Sequence, residues 1–290
     1  MWDLIAKSFS AWLDDFAPSM GAALAYYTLF SIAPLLVIAI AVAGLAFGQE
    51  AARGEVVAQI QDLVGPDGAN AVQALLKSAN APTQNIFAAL LSVITLVIGA
   101  TTVFAELQSD LDRIWCVPVI LKENSWWALL RGRLLSFGLV LGLGFLLLVS
   151  LLLSAGIAAF GKWSHGLFGE QEVFFQALNF GISLASTTVL FAMIYKLIPR
   201  AKIAWRDVWI GAAVTSLLFE IGKVLIGLYL GKTAVIAGFG AAGSLVVLLV
   251  WVYFSAQIFL LGAEFTWVYS HQYGSRASPE PGTTAASANP

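Results

Sequence analysis

The polar and apolar positions of this chain are segregated into blocks. No charged residue falls between Asp15 and Glu50, Lys77 and Glu106, Arg133 and Lys162, Glu172 and Lys196, or Lys232 and Glu264. A sixth apolar stretch, Val208 to Leu230, is interrupted only by Glu220 and Lys223. Each block can hold a helix of about 20 apolar residues, the length that crosses the hydrocarbon of a bilayer. Apolar residues run on without alternation, as in Phe145-Leu146-Leu147-Leu148-Val149, unlike the period-two pattern of barrel strands. In lipid only a helix satisfies the backbone of such a run by itself. The pattern therefore predicts an all-α polytopic membrane protein. It is a six-transmembrane-helix bundle with spans near 20–47, 86–105, 134–160, 177–198, 208–230 and 241–265.

The segments between the spans predict the remaining parts. Trp2, Ile5, Phe9, Trp12, Leu13 and Phe16 share one helical face, so residues 1–17 read as an amphipathic helix lying in the membrane interface. Residues 18–270 form the membrane domain. Its largest outer loop, about 48–85, carries two short helical patterns, Val56-Ile60-Leu63-Val64 and Val72-Leu75-Leu76-Ala79. They are joined by the turn signal Gly65-Pro66-Asp67-Gly68. This is an extracytoplasmic helical hairpin that caps the bundle. Leu107, Leu111, Ile114 and Trp115 extend the second span as an amphipathic helix to about Trp115, before Pro118. Trp126 and Trp127 mark the return to the interface, with Arg131 and Arg133 placed to hold lipid phosphates. The Ser, Pro, Ala and Thr of 271–290 read as a disordered cytoplasmic tail.

Composition sharpens this picture. Of 290 residues, 59% are hydrophobic and 11% charged, too little polar surface to enclose an apolar core in water. A soluble enzyme and a disordered chain are excluded on that ground. A net charge of −2 gives no basic field for nucleic acid. One cysteine, Cys116, and two histidines, His165 and His271, predict neither a disulfide nor a metal centre, and no cofactor is expected. With the N-terminus inside, ten Lys and Arg lie on the inner side and four on the outer, with Lys223 inside a span. That asymmetry places both termini in the cytoplasm.

Chemistry is sparse. Glu220 and Lys223 are one helical turn apart near the middle of the fifth span. Each isolated charge at mid-bilayer costs about 2.5–3.5 kcal/mol, so the two need each other or water. With Ala213, Ser216 and Gly227 they form a small, polar stripe expected to face the bundle interior. The plain reading is an ion pair that fixes helix register; the functional reading is a polar path. The last span adds Gln257 and Glu264, the latter near water at the cytoplasmic end. The first adds Tyr26 and Tyr27 beside Ser31 and Pro34, where proline frees a carbonyl and opens a polar notch. Gly238-Phe239-Gly240-Ala241-Ala242-Gly243-Ser244 lacks the Gly-Lys-Ser/Thr ending of a phosphate loop and reads as a close-packing helix start. No motif of catalysis appears, and the chain is not expected to be an enzyme.

Gly21-Ala22-Ala23-Leu24-Ala25-Tyr26-Tyr27-Thr28-Leu29-Phe30-Ser31-Ile32-Ala33-Pro34 resembles the opening signature of the YihY/BrkB family of bacterial inner-membrane proteins. So do Leu111-Asp112-Arg113-Ile114-Trp115, Trp205-Arg206-Asp207-Val208-Trp209, Phe219-Glu220-Ile221-Gly222-Lys223 and the block from Tyr229 to Phe265. The resemblance covers about residues 5–270. It implies a multi-pass protein of the bacterial inner membrane, of a kind labelled virulence factor and proposed to carry lipid or envelope material. An older ribonuclease label attached to the family finds no support in these residues. Two functions follow as expectations. One is a transporter, exporter or lipid-handling protein with a polar path near Glu220 and Lys223. The other is a non-transporting scaffold for envelope proteins. Expected partners are membrane lipids and a lipid or small-molecule substrate, not nucleic acid; a homo-oligomer is left open.

Overall fold

The computed structural model describes residues 2–79, 86–118, 172–232 and 243–277. All regular elements among them are helices: α1 (Trp2–Asp14), α2 (Ala17–Phe47), α3 (Gln49–Ala79), α4 (Ile86–Ile114), α5 (Glu172–Leu197), α6 (Trp205–Lys232) and α7 (Gly243–Gln272). Among the described residues four stretches are long and apolar enough to cross a membrane: Ala17–Ala41, Phe180–Leu197, Trp205–Tyr229 and Gly243–Gln272. The expected second span falls within α4. The expected third span, 134–160, lies outside the described residues, as do Trp126, Trp127, Arg131, Arg133 and residues 238–242 of the glycine-rich stretch.

Two clusters mark the two ends of the bundle. At the near end, Ala17, Met20 and Leu24 of α2 meet Leu111 and Ile114 of α4, Tyr195 of α5, Val208 and Ala212 of α6, and Leu260 and Ala263 of α7. Helices α2 and α6 thus start at this end, whereas α4, α5 and α7 finish there. At the far end, Ile40 of α2 and Leu248 of α7 meet Ala71, Val72 and Leu76 of α3. Helix α3 breaks at Gly65 (φ 77°, ψ 175°), a left-handed φ that glycine adopts without steric cost. Both segments, through Val56 and Ile60 before the break and Val72 and Leu76 after it, pack on the far-end cluster. The break falls on the first residue of the expected turn.

Helix α7 is the central element and packs against α1, α2, α3 and α6. Its contact with α6 rests on a reciprocal exchange of small residues. Thr215 Oγ1 donates to the Gly211 carbonyl of its own helix (2.7 Å) and sits over Gly262 of α7. Thr266 Oγ1 donates to the Gly262 carbonyl (2.7 Å) and sits over Gly211 of α6. A Cβ on either glycine would overlap the facing threonine. Each hydroxyl is satisfied within its own helix, so the backbones approach without stranding a polar group. Tyr195 joins α5 to this contact, donating to the Phe259 carbonyl (2.7 Å) with its oxygen 3.0 Å from Thr215 Oγ1.

The notch expected at Pro34 is filled by protein. Gly99 of α4 packs against the Pro34 ring, and Ser31 donates its hydroxyl to the Gly99 carbonyl. Helix α1 leaves Trp2, Ile5, Phe9 and Leu13 exposed while Leu4 and Ser8 are buried. Residues 271–277 depart from the expected disorder. Helix α7 runs to Gln272, and Asp207, fully buried, accepts the Ser275 N–H (3.1 Å) and hydroxyl (2.6 Å). The side chain of Arg276 donates to the Lys202 carbonyl (2.8 Å) and stacks on Trp115. A buried carboxylate that needs donors holds the turn after α7 in place. Residues 278–290 of the expected tail lie outside the described residues.

Candidate functional site

Glu220 and Lys223 are held on α6 by helical spacing alone. Lys223 Nζ lies 2.8 Å from Glu220 Oε2, with the two side chains 25% and 14% exposed. The ammonium also sits 5.8 Å from the centroid of Phe219. Within the candidate span Trp205–Tyr229, Glu220 lies about 13 Å from one end and about 22 Å from the other. Water cannot be counted on there, so the pair supplies its own counter-charge. It does so incompletely: Glu220 Oε1 is buried and has no hydrogen-bond partner.

The polar stripe predicted around this pair is only partly turned inward. Ser216 is buried; its hydroxyl lies 2.7 Å from Thr188 Oγ1 of α5 and donates to the Ala213 carbonyl (3.0 Å). Ala213 and Gly227 are exposed. The buried face of α6 instead runs through Val208, Ala212, Thr215, Gly222 and Ile226, with Gly222 against Ile258 of α7. Glu220 and Lys223 stand at the edge of that face.

The other expected members of the site have different neighbours. Gln257 reaches α2, where its Nε2 approaches the Pro18 carbonyl (3.4 Å) across Gly21, and its Oε1 has no partner. Glu264, expected near water, is 1% exposed with Oε1 unpartnered, and faces Asp15 and Asp14 at the α1–α2 corner. Tyr26 is 58% exposed and edges onto Tyr27 and Phe30. The buried residues of α2 at 17, 20, 24, 25 and 31 define the inward face, and Tyr26 falls outside it. Ser216 lies one turn before Glu220 on α6. Gln257 and Glu264 form a second polar group on the face of α7 turned to α1 and α2.

Sequence reasoning gave no role to three acids at the near end. Asp112 accepts the Arg200 N–H (2.8 Å) with the guanidinium 3.9 Å away, tying the end of α4 to the turn after α5. Asp207 holds the chain after α7. Asp110 is 6% exposed, and its Oδ2 has no partner. Burial, reinforced by the nearby Glu106 and opposed by Arg113, pushes its carboxyl up to about 7. The only hint in the sequence was acidic spacing on an amphipathic helix, a pattern that usually means a solvated face. Among the described residues no three His, Cys, Asp or Glu side chains gather as a metal site, and Cys116 is exposed.

Comparison with known proteins supplies the lineage. A UPF0761 membrane protein of Pseudomonas aeruginosa (strain LESB58) is 27% identical over 256 residues, covering 86% of this chain and 58% of its own length. Another, from Pseudoalteromonas translucida, is 25% identical over 259 residues, covering 88% of this chain and 81% of its own length. A third, from Tolumonas auensis, is 28% identical over 179 residues, 61% of this chain and 56% of its own. The chain thus spans less than three-fifths of the Pseudomonas relative. No solved structure matches it. These relatives are membrane proteins, and the apolar helices agree: this is an integral membrane protein. The profile described as Virulence factor BrkB matches residues 8–287, nearly the whole chain, and the protein belongs to that family.

Proposed function

We propose that the protein moves a polar or amphipathic solute, of lipid or small-molecule type, through a path beside Glu220 and Lys223. The observation that carries this reading is the ion pair inside a membrane-spanning helix, one of whose carboxylate oxygens is buried without a partner. Intramembrane charges are expensive and are retained chiefly where they do work. A purely structural pair would be expected to satisfy all of its acceptors.

In this reading the protein is a six-span transporter of the bacterial inner membrane, without catalysis, with both termini in the cytoplasm. Helices α4 and α5 both finish at the near end, the parity expected if one crossing lies between them. Arg113, Arg200, Lys202, Arg206 and Arg276 all belong to near-end segments, as a cytoplasmic face requires. The test is reconstitution in lipid vesicles with a panel of labelled lipids and solutes. Net movement should appear with the wild type and vanish in a folded Glu220→Leu, Lys223→Leu double variant. Movement of nothing in the panel, together with full complementation of a knockout by that double variant, would favour the scaffold instead.

A further inference from the structure

A cavity of about 570 Å³ opens at the near end between the start of α2 and the end of α4. The start of α2 lines it with Phe16, Ser19, Met20 and Ala23. The end of α4 and the residues after it line it with Glu106 and Asp110, one helical turn apart, and with Ser109 and Val117. Asp110 is withdrawn from water, yet its Oδ2 meets no donor. A buried acceptor left open is costly unless something completes it. The other charged groups at the cavity are already engaged. Asp112 is held by Arg200, and Arg113 is drawn to Asp15 (3.9 Å) and lies over the Phe16 ring. What the cavity offers a ligand is therefore acceptor capacity together with apolar cover.

We propose that this cavity binds an organic ammonium group, with Asp110 and Glu106 as acceptors and Phe16 and Met20 covering its carbon skeleton. The volume lies within the range of small-molecule sites and far exceeds that of a bare ion. No metal-ligating cluster competes for this role among the described residues. A free amine and a lipid headgroup both present this ammonium, and the chemistry is shared. The site is separate from the ion pair on α6, so its failure leaves the transport reading standing.

Binding of a cation requires Asp110 ionised. The charges around it are Glu106 and Arg113 on α4, Asp112 beside them, Asp15 at the α1–α2 corner, and Arg200 after α5. Because its carboxyl titrates near 7, affinity should fall as the pH drops through that value. An aliphatic amine stays protonated over this range.

The test is calorimetric titration of ethanolamine into the full chain in phosphatidylglycerol nanodiscs, which carry no amine. Saturable binding should be about tenfold tighter at pH 8 than at pH 6. It should weaken at least about tenfold in Asp110→Asn and in Ala23→Trp, which fills the cavity but keeps both carboxylates. Nanodiscs of phosphatidylethanolamine separate the two sources: suppressed ethanolamine binding there assigns the site to a lipid headgroup, and unchanged binding assigns it to a free amine. Absence of saturable binding by the wild type would overturn the proposal, as would equal affinity at the two pH values. Should Asp110→Asn fail to fold, the wild-type pH series and Ala23→Trp decide; unchanged affinity in Ala23→Trp overturns it.

Discussion

Replacing Glu220 by leucine leaves the Lys223 ammonium in a membrane span, about 27 Å from the near end of its helix and about 9 Å from the far end of the span, with the Phe219 ring 5.8 Å away. The attraction removed is large in gross terms. At 2.8 Å and an effective dielectric of about 20, two unit charges attract by about 6 kcal/mol. Most of that offsets the cost of keeping the charges out of water. The net loss is set by the stranded partner, typically about 3–5 kcal/mol for a buried pair. Neither side chain is fully enclosed, so the lower end of that range is taken, about 3 kcal/mol for either single change. Replacing both with leucine removes attraction and desolvation together and should be close to neutral. At about 2–4 °C per kcal/mol, Glu220→Leu and Lys223→Leu should each lower the unfolding midpoint in detergent by about 6–12 °C. The double variant should return to within a few degrees of the wild type. The four midpoints form a double-mutant cycle, read from the loss of the monodisperse chromatographic peak on heating. Single variants with the wild-type midpoint would refute the reasoning, for they would show each charge already reaching water alone.

Four further outcomes follow from the same geometry. Gly262→Leu or Gly211→Leu should cost at least about 1–3 kcal/mol, because each side chain would enter the space of a facing threonine; thermal unfolding measures it. Asp207→Ala releases the Ser275 donors, so trypsin should cut after Arg276 about tenfold faster or more, seen as the shortened chain by mass spectrometry. Reporter fusions at Gly65 should read outside and at Gly274 inside; an outside C-terminus would end the six-span arrangement. Asp110 favours the fold when neutral, since its carboxyl is raised from 3.8 to about 7: its contribution is complete below about pH 4 and is lost as pH rises through 7. The stability gained by Asp110→Asn should therefore grow by about 2–3 kcal/mol between pH 5 and pH 8, and a gain that did not change with pH would contradict the burial of this acid.

The helices were legible because their cause is one-dimensional. A run without charge is either in lipid or in a core, and its length decides between them, so α2, α5, α6 and α7 follow from counting. Gly65 was legible for a local reason, a glycine followed by proline between two helical patterns. The partners of the polar residues were not legible, because they depend on which face of one helix meets which face of another. Gln257 and Glu220 are both polar residues on apolar helices, and the sequence grouped them on that likeness. Helix α7, however, presents Ile258 to Gly222 of α6 and turns the neighbouring Gln257 toward Gly21 of α2. One residue along a central helix is a rotation of about 100°, enough to change the neighbour. Tyr195, Thr215 and Thr266 escaped notice for a related reason: a hydroxyl in an apolar helix carries no signal until the glycine opposite it is known.

The near end gathers Asp110, Asp112, Asp207 and Glu264, all less than a tenth exposed. Two of them have a plain structural task. Asp112 takes the Arg200 amide, Asp207 takes Ser275, and in each case a carboxylate fastens a turn just beyond a helix end. Fastening of that kind explains a buried acid completely, since its oxygens end up with donors. Asp110 is not explained in this way, as its Oδ2 has no donor in reach, and Glu264, whose Oε1 is also unpartnered, has another acid, Asp15, as its side-chain neighbour. The α1–α2 corner lies against both: Phe16 lines the cavity of Asp110, while Asp15 faces Glu264 and also pairs with Arg113. Phe16 holds a left-handed backbone (φ 56°) at that corner, a conformation a bulky residue keeps only when its surroundings enforce it. A cation entering beside Asp110 would meet the Arg113 guanidinium, whose charge already acts on that carboxyl and which itself pairs with Asp15.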